Sequence, residues 1–310
     1  MPCKPYILLL ALALLCTSCE EVLEFDDSDL RRVVVVNALP STDSLFFANI
    51  TYSRLFIDNQ PFPPVTDATV TLDVNGTLLN ATGRDEANYL FNYRPAAGDS
   101  LTLHVKVPGY DEITAGTRQV ALPDMQAPIA EIDTMQPLTL GNITFTLRDP
   151  ADHSDFYHLF VVERDSGIRW NNWLEQWDTI DTVTYSYFQC FNPEITSTGV
   201  NATEGMLYYF NQLLITDSLL DGQSTELTLS LIMLRDTAEH PISRQYTLVV
   251  ESLSPEAYRY RCELSQAQGG GQYFAEPMHI YSNVSSGVGI FAAIARRSYP
   301  LTFTYKEAEE

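Results

Sequence analysis

Leu101-Thr102-Leu103-His104-Val105-Lys106-Val107-Pro108-Gly109 decides the fold class. Apolar residues occupy every second position. That period puts one set of side chains on the core face of a strand and the other set on the opposite face. A helix of the same length needs its apolar residues three and four apart. Pro108-Gly109 then closes the run with a turn pair.

The same pattern extends on both sides. Ala68 to Val74 alternates and is followed by Asn75-Gly76, a two-residue hairpin signal. Arg32-Val33-Val34-Val35-Val36 is a β-branched run suited to a buried strand. Leu45–Ser53 and Thr114–Val120 read as further strands. About six or seven strands in roughly ninety residues predict a two-sheet sandwich over residues 31–123. Leu122-Pro123 and Pro128 mark a linker.

Residues 124–310 read as a second β-rich domain. Ile143, Phe145 and Leu147 alternate, as do Leu227, Leu229 and Leu231, and Tyr246, Leu248 and Val250. One helix stands out. Ser254 suits the N-cap, Pro255 the first helical position and Glu256 the positive end, and Gly269-Gly270-Gly271 stops a helix that runs from 255 to about 267. The expected fold is therefore mainly β: an immunoglobulin- or transthyretin-like sandwich, then a second β-rich domain with one C-terminal helix.

The start of the chain is an address. Lys4 precedes an apolar run from Pro5 to Leu15, then Thr17, Ser18 and Cys19. A membrane-spanning helix needs about 20 apolar residues, so residues 1–18 read as a signal peptide. The segment resembles a bacterial lipobox, with Cys19 acylated as the first mature residue, although Cys16 stands where Leu is usual. A plain secreted protein is the alternative. Glu20, Glu21, Glu24, Asp26 and Asp27 make residues 19–30 an acidic tether, similar to the surface-export signal of Bacteroidetes lipoproteins.

Of the 310 residues, 18 are Lys or Arg and 40 are Asp or Glu, a net charge of −22. Such a chain repels phosphate backbones, which excludes nucleic acid as a partner. An apolar content of 45% excludes general disorder. In an oxidising compartment Cys190 and Cys262 could form a disulfide; two free thiols are the alternative.

No motif for chemistry emerges. His104, His153, His158, His240 and His279 form no His-Glu-x-x-His pair, and neither a Gly-x-Ser-x-Gly elbow nor a phosphate-binding loop is present. No catalytic residue, metal or cofactor is expected. The polar cluster Asp149, Asp152, His153, Asp155, His158 lacks the ligand spacing and the glycine of a calcium loop, and reads as a turn between strands. Trp170, Trp173 and Trp177 are spaced by three and four, which predicts one face of a helical turn: a packing face, or a platform for a ligand or partner. Tyr185, Tyr187, Phe188 and Phe191 make the region aromatic. Asp-Ser/Thr-apolar triplets, such as Asp43-Ser44-Leu45 and Asp217-Ser218-Leu219, resemble a Bacteroidetes O-glycosylation signal, and turns leading into strands give the same letters.

Three groups of residues carry a family resemblance. The first is Pro63-Pro64-Val65-Thr66-Asp67-Ala68 with Gly98-Asp99-Ser100-Leu101 and Pro108-Gly109-Tyr110; the second is Asp217 to Gly222; the third is Ser254 to Tyr260 with Tyr281 to Phe291. Together with the lipobox they resemble the Bacteroidetes outer-membrane lipoprotein family called domain of unknown function 4249. The resemblance implies an outer-membrane lipoprotein facing the cell exterior, often encoded beside a TonB-dependent transporter, with no established activity. The expected function is a non-enzymatic binding or accessory subunit of such a transport system. A structural or adhesive surface protein and a glycan or peptide hydrolase without recognisable motif stay open.

Overall fold

A computed structural model describes residues 32–54, 59–135, 138–151, 153–171, 173–190, 192, 211–233, 242–269 and 279–305. Cys19, the signal peptide and the acidic tether lie outside these residues. The first strands are β1 (Val34–Ala38), β2 (Phe47–Tyr52), β3 (Thr69–Val74), β4 (Thr77–Asn80), β5 (Gly83–Asp85), β6 (Asn88–Leu90), β7 (Ser100–Lys106) and β8 (Ile113–Arg118). Next come β9 (Asp124–Met125), β10 (Ile129–Met135), β11 (Leu138–Arg148), β12 (Phe156–Asn171), β13 (Gln176–Ser186), β14 (Phe188–Cys190), β15 (Leu213–Thr216), β16 (Ser224–Met233) and β17 (Ser243–Leu253). The helix α1 (Pro255–Gly269) and strands β18 (Val288–Phe291), β19 (Ile294–Leu301) and β20 (Thr304–Tyr305) complete the order. The protein is mainly β, as the alternation predicts.

Two sheets enclose the first core. One runs β18-β1-β2-β6-β5 and the other β4-β3-β7-β8. Val34, Val36 and Ile50 from the first sheet meet Leu72, Leu101, Leu103 and Val105 from the second, all buried. The strand quoted above is thus central, its alternate residues Thr102, His104 and Lys106 facing away from the core. Asn75 and Gly76 both have positive φ, as a type I′ hairpin turn requires, and they join β3 to β4.

Two further sheets enclose a second core: β14-β16-β11-β10-β20, with β9 beside β11, and β13-β12-β17-β19, with β15 beside β12. Ile143, Phe145, Phe188, Leu227 and Leu229 face Tyr157, Leu159, Leu213, Leu248 and Val250 across it. Cys190 is buried in this core, whereas Cys262 lies on α1 against a third apolar cluster that includes Leu253, Ala257 and Ile290. Both are free thiols, so of the two alternatives open in the sequence the structure takes the unpaired one: the helix carries Cys262 to a different cluster.

The C-terminal segment returns to the first sandwich. β18 pairs in parallel with β1, Val36 opposite Gly289. Its alternate residues serve two clusters: Phe291 enters the first core and Ile290 packs beneath α1. Backbone approach is so close at Gly289 (φ +123) that a Cβ there would lie 2.0 Å from the Val36 carbonyl oxygen. The residues from Gly289 to Ala295 have the letters of a strand, but their sequence does not name β1 as the partner.

α1 begins where its sequence places it and runs two residues further, to Gly269. The Ser254 carbonyl accepts the Tyr258 N–H at 3.0 Å, and the Ser254 hydroxyl accepts the Ala257 N–H at 3.4 Å. The helix covers the outer face of the β12-β17-β19 sheet. There the register aligns His158, Glu251 and Arg296 in one row across three strands. Glu251 has no exposed surface. Arg261 from the helix donates to its Oε2 at 2.5 Å, and Arg296 to its Oε1 at 2.6 Å. His158 Nδ1 lies 2.9 Å from Oε2 and also against the Arg261 guanidinium, so the ring, the guanidinium and the carboxylate form one buried cluster. Its Nε2 lies 3.1 Å from the Gln212 side-chain oxygen Oε1, which can only accept.

Burial opposes the Glu251 charge, but the His158 hydrogen bond and the two guanidinium groups outweigh it and bring its pKa down to about 2. Burial also lowers the His158 pKa, which keeps the ring neutral. Both shifts act in the same direction on acidification. The Glu251 contribution is complete above the ordinary carboxylate range and is lost as pH falls toward 2. The His158 contribution declines once pH falls below about 6.5, where the unfolded ring takes a proton. Stability to urea is therefore expected to fall from pH 6.5 downward, Glu251 alone accounting for roughly 3 kcal/mol of the loss. Glu251→Gln should cost about 3–5 kcal/mol at pH 7 by stranding two arginines and should flatten the acid limb of the curve; an unchanged limb would contradict this account. Gly289→Ala should destabilise by at least about 2 kcal/mol, since positive φ and the backbone clash add; a urea midpoint equal to the wild type would show that β1 and β18 are not in this register.

Candidate functional site

β12 and β13 form a long antiparallel hairpin, paired from Val161 with Ser186 out to Asn171 with Gln176. β17 accompanies β12 only as far as Ser166, which pairs with Ser243. Among the described residues the outer part of the hairpin is a two-stranded ribbon. Such a ribbon is only marginally stable in water by itself. β13 is an edge strand in the described sheet order.

The three tryptophans lie here and do not form a helical face. Trp170 is in β12, Trp177 is directly opposite it in β13, and Trp173 is in the connecting turn. This corrects the helical reading of their spacing. The β-branched run Thr179-Ile180-Asp181-Thr182-Val183-Thr184 favours a strand, and Glu175 takes a positive φ that ends any helical turn. Cross-strand pairing then brings residues 170 and 177 face to face. Their rings meet edge to face at 5.5 Å, a favoured arrangement for aromatic pairs.

Local polar bonds set the tip. The Asn171 side-chain oxygen accepts the Trp173 and Leu174 N–H groups at 3.0 and 3.2 Å, and its amide donates to Asp178 at 2.6 Å. Gln176 donates to the other Asp178 oxygen at 2.8 Å. These bonds hold the Asp178 pKa below its ordinary value, Asn171 contributing most. Arg164 grips Asp181 through two parallel hydrogen bonds of 2.9 and 3.0 Å on the ribbon surface. The tip residues Arg169, Trp170, Asn171, Trp173 and Asp178 line a shallow hollow.

One face of the hairpin is open to solvent and carries most of its large apolar side chains. By register Trp170, Ile168, Trp177, Val183 and Tyr185 share it with Ser166, Thr179 and the Arg164–Asp181 pair. Trp170 and Trp177 are 44% and 50% exposed, and Trp173 is 96% exposed. Tyr187 beyond the strand is exposed as well, whereas Phe188 is buried in the second core. Exposed flat rings of this kind are suited to contact with a ligand or partner. Phe191 lies outside the described residues.

The turn reading of residues 149–158 also needs an addition. Asp149, Asp155 and, from far along the chain, Asp217 bring carboxylate oxygens within 4.8 Å of one another. This group lies at the opposite end of β12 from the tryptophans. The sequence spacing gives no sign of it, because Asp217 joins through the β12–β15 pairing.

Fold and site together define a protein of paired β-sandwich cores with an exposed aromatic hairpin. The chain belongs to the family described as domain of unknown function DUF4249, whose model matches residues 20–299. No curated protein is a significant match to the sequence. Among solved structures, one described as "Structural basis for the promiscuous specificity of the carbohydrate-binding modules from the beta-sandwich super family" is similar over 70% of this chain and 96% of its own. The identity is 7% and the TM-score 0.19; a likeness of that size carries no inference about ligand.

Trp173→Ala should leave stability within about 0.5 kcal/mol of wild type, as an exposed substitution does. Trp170→Ala should cost about 0.5–1.5 kcal/mol by breaking the ring pair. Equal, large losses for both, measured by urea denaturation, would mean the turn is packed and not exposed.

Proposed function

We propose that the protein is an outer-membrane lipoprotein, acylated on Cys19 and facing the cell exterior, that serves a TonB-dependent transport system as a non-enzymatic binding or accessory subunit. The observation that carries this reading is the ribbon of Trp170, Trp173 and Trp177. Three large rings held out on a two-stranded ribbon, at a place where burial contributes nothing to the protein's own core, are the kind of anchors that dominate protein interfaces. The apolar run of residues 5–15 and the Thr17-Ser18-Cys19 sequence supply the address. A chain with no described helix long and apolar enough to cross a membrane would be held there by its lipid. The charge of −22 would keep it off anionic head groups by repulsion, leaving the anchor and the partner to set its position.

The test is an affinity pull-down of the tagged chain from detergent-solubilised outer membranes of its source cell. A TonB-dependent transporter is expected at stoichiometric yield, and Trp170→Ala with Trp177→Ala should reduce that yield at least about tenfold, in line with interface hot spots. Cys19→Ser should leave the membrane fraction altogether. Recovery of the wild-type chain alone, still membrane-bound, would overturn the accessory role and favour a free-standing adhesive protein.

A further inference from the structure

The turn between β11 and β12 and the end of β15 meet in a group of carboxylates on which the aromatic hairpin does not depend. Asp149 follows the last residue of β11, Asp155 precedes the first residue of β12, and Asp217 follows the last residue of β15. Each is held in place. The Asp155 N–H donates to Asp217 Oδ2 at 2.8 Å, and the Asp217 N–H returns a bond to the Asp155 carbonyl at 3.1 Å. Tyr157 donates its hydroxyl to Asp149 Oδ1 at 2.6 Å.

The remaining oxygens are the telling ones. Asp149 is 7% exposed; its Oδ2 is buried and receives no hydrogen bond of ordinary geometry, although the Gly222 N–H acts on the carboxyl. The Asp155 Oδ2 is buried and unpartnered as well. A buried carboxylate oxygen left in that state costs on the order of 1–3 kcal/mol or more, and here two occur within one group. The surrounding charges worsen the position. Asp217 and Asp221 act on both Asp149 and Asp155, and Asp149 acts on Asp155; the Tyr157 hydroxyl and the Gly222 N–H offset part of this at Asp149, and His153 part of it at Asp155.

We infer that Asp149, Asp155 and Asp217 form a calcium site. The ligand chemistry is all hard carboxylate oxygen, which selects Ca²⁺ or Mg²⁺ over the softer transition metals. Oxygens all within 4.8 Å of one another are close enough to share one cation at calcium distances of roughly 2.3–2.6 Å, and calcium tolerates an irregular ligand set where magnesium demands near-ideal octahedral geometry. A single shared proton could neutralise two of the carboxylates. It cannot serve three, two of them with buried oxygens left over. Bound calcium would tie the β11–β12 turn to the end of β15, closing a loop of more than sixty residues through the Asp149–Asp217 separation.

The experiment is a calcium titration of the full chain in mild detergent after stripping with EDTA. Isothermal calorimetry should show one saturable site with a Kd of about 10⁻⁴–10⁻³ M, the range of extracellular modules. At 10 mM calcium the melting temperature should rise by about 3–6 °C, with a smaller rise in magnesium. Asp155→Asn should abolish both effects, and Asp85→Asn, in the distant strand β5, should retain them. Asp217→Asn is the second variant should Asp155→Asn fail to fold. Absence of saturable binding up to 10 mM overturns the inference, and so does binding that survives the Asp155 and Asp217 substitutions. A rise in melting temperature from Asp155→Asn alone, with no response to calcium in the wild type, would assign the group to proton sharing.

Discussion

A carboxylate with no exposed surface cannot stay charged unless neighbouring groups replace the water it has lost, and Glu251 sets that condition for much of the structure. Its partners come from β12, β19 and α1. Satisfying one side chain therefore specifies where two strands and the helix must be. Apolar packing alone would tolerate a range of helix positions over the sheet; two guanidinium groups converging on two oxygens tolerate few. β18 ends three residues before β19 begins, so the same constraint also governs the strand that completes the first sheet.

That return strand changes how the two cores relate. Each sandwich is built by the ordinary period of two, with apolar residues inward on facing strands. The elements at the junction use both of their faces. In β18 Phe291 serves the first core and Ile290 the cluster beneath α1; in β15 Leu213 and Ile215 serve the second core and Leu214 that same cluster. A strand buried on both faces has no solvent side to tolerate a slip in register. The first core is thus complete only when residues near the end of the chain have joined it.

Much of this was legible in the sequence, and the parts that were not share a cause. Leu101 to Val107, Ala68 to Val74 and the Asn75-Gly76 turn state their structure locally, and Ser254-Pro255-Glu256 states the start of the only helix longer than one turn among the described residues. The tryptophan spacing misleads because three and four suit a helix as well as residues on either side of a hairpin turn; the β-branched run after Trp177 is the signal that decides for the strand. Glu251 sits in a run of apolar residues and shows no hint of Arg261 or Arg296, and Asp217 shows none of Asp149. Such groupings are products of strand pairing across many residues, which periodicity does not encode. Cys190 and Cys262 have the same character: their sequence permits a bond, and only the placement of α1 decides.

The chain contains 3 tryptophans, and all of them lie in the β12–β13 hairpin, away from either core. Its tryptophan emission is consequently a local signal. It reports solvent and contact at the hairpin surface while the sandwiches, whose aromatic content is tyrosine and phenylalanine, stay nearly silent at that wavelength. A change in emission on mixing with another molecule would locate the event on the ribbon without any label. By the same token, an unfolding curve followed by tryptophan light alone would describe the fraying of two strands, and the cores would have to be watched by backbone dichroism or by heat.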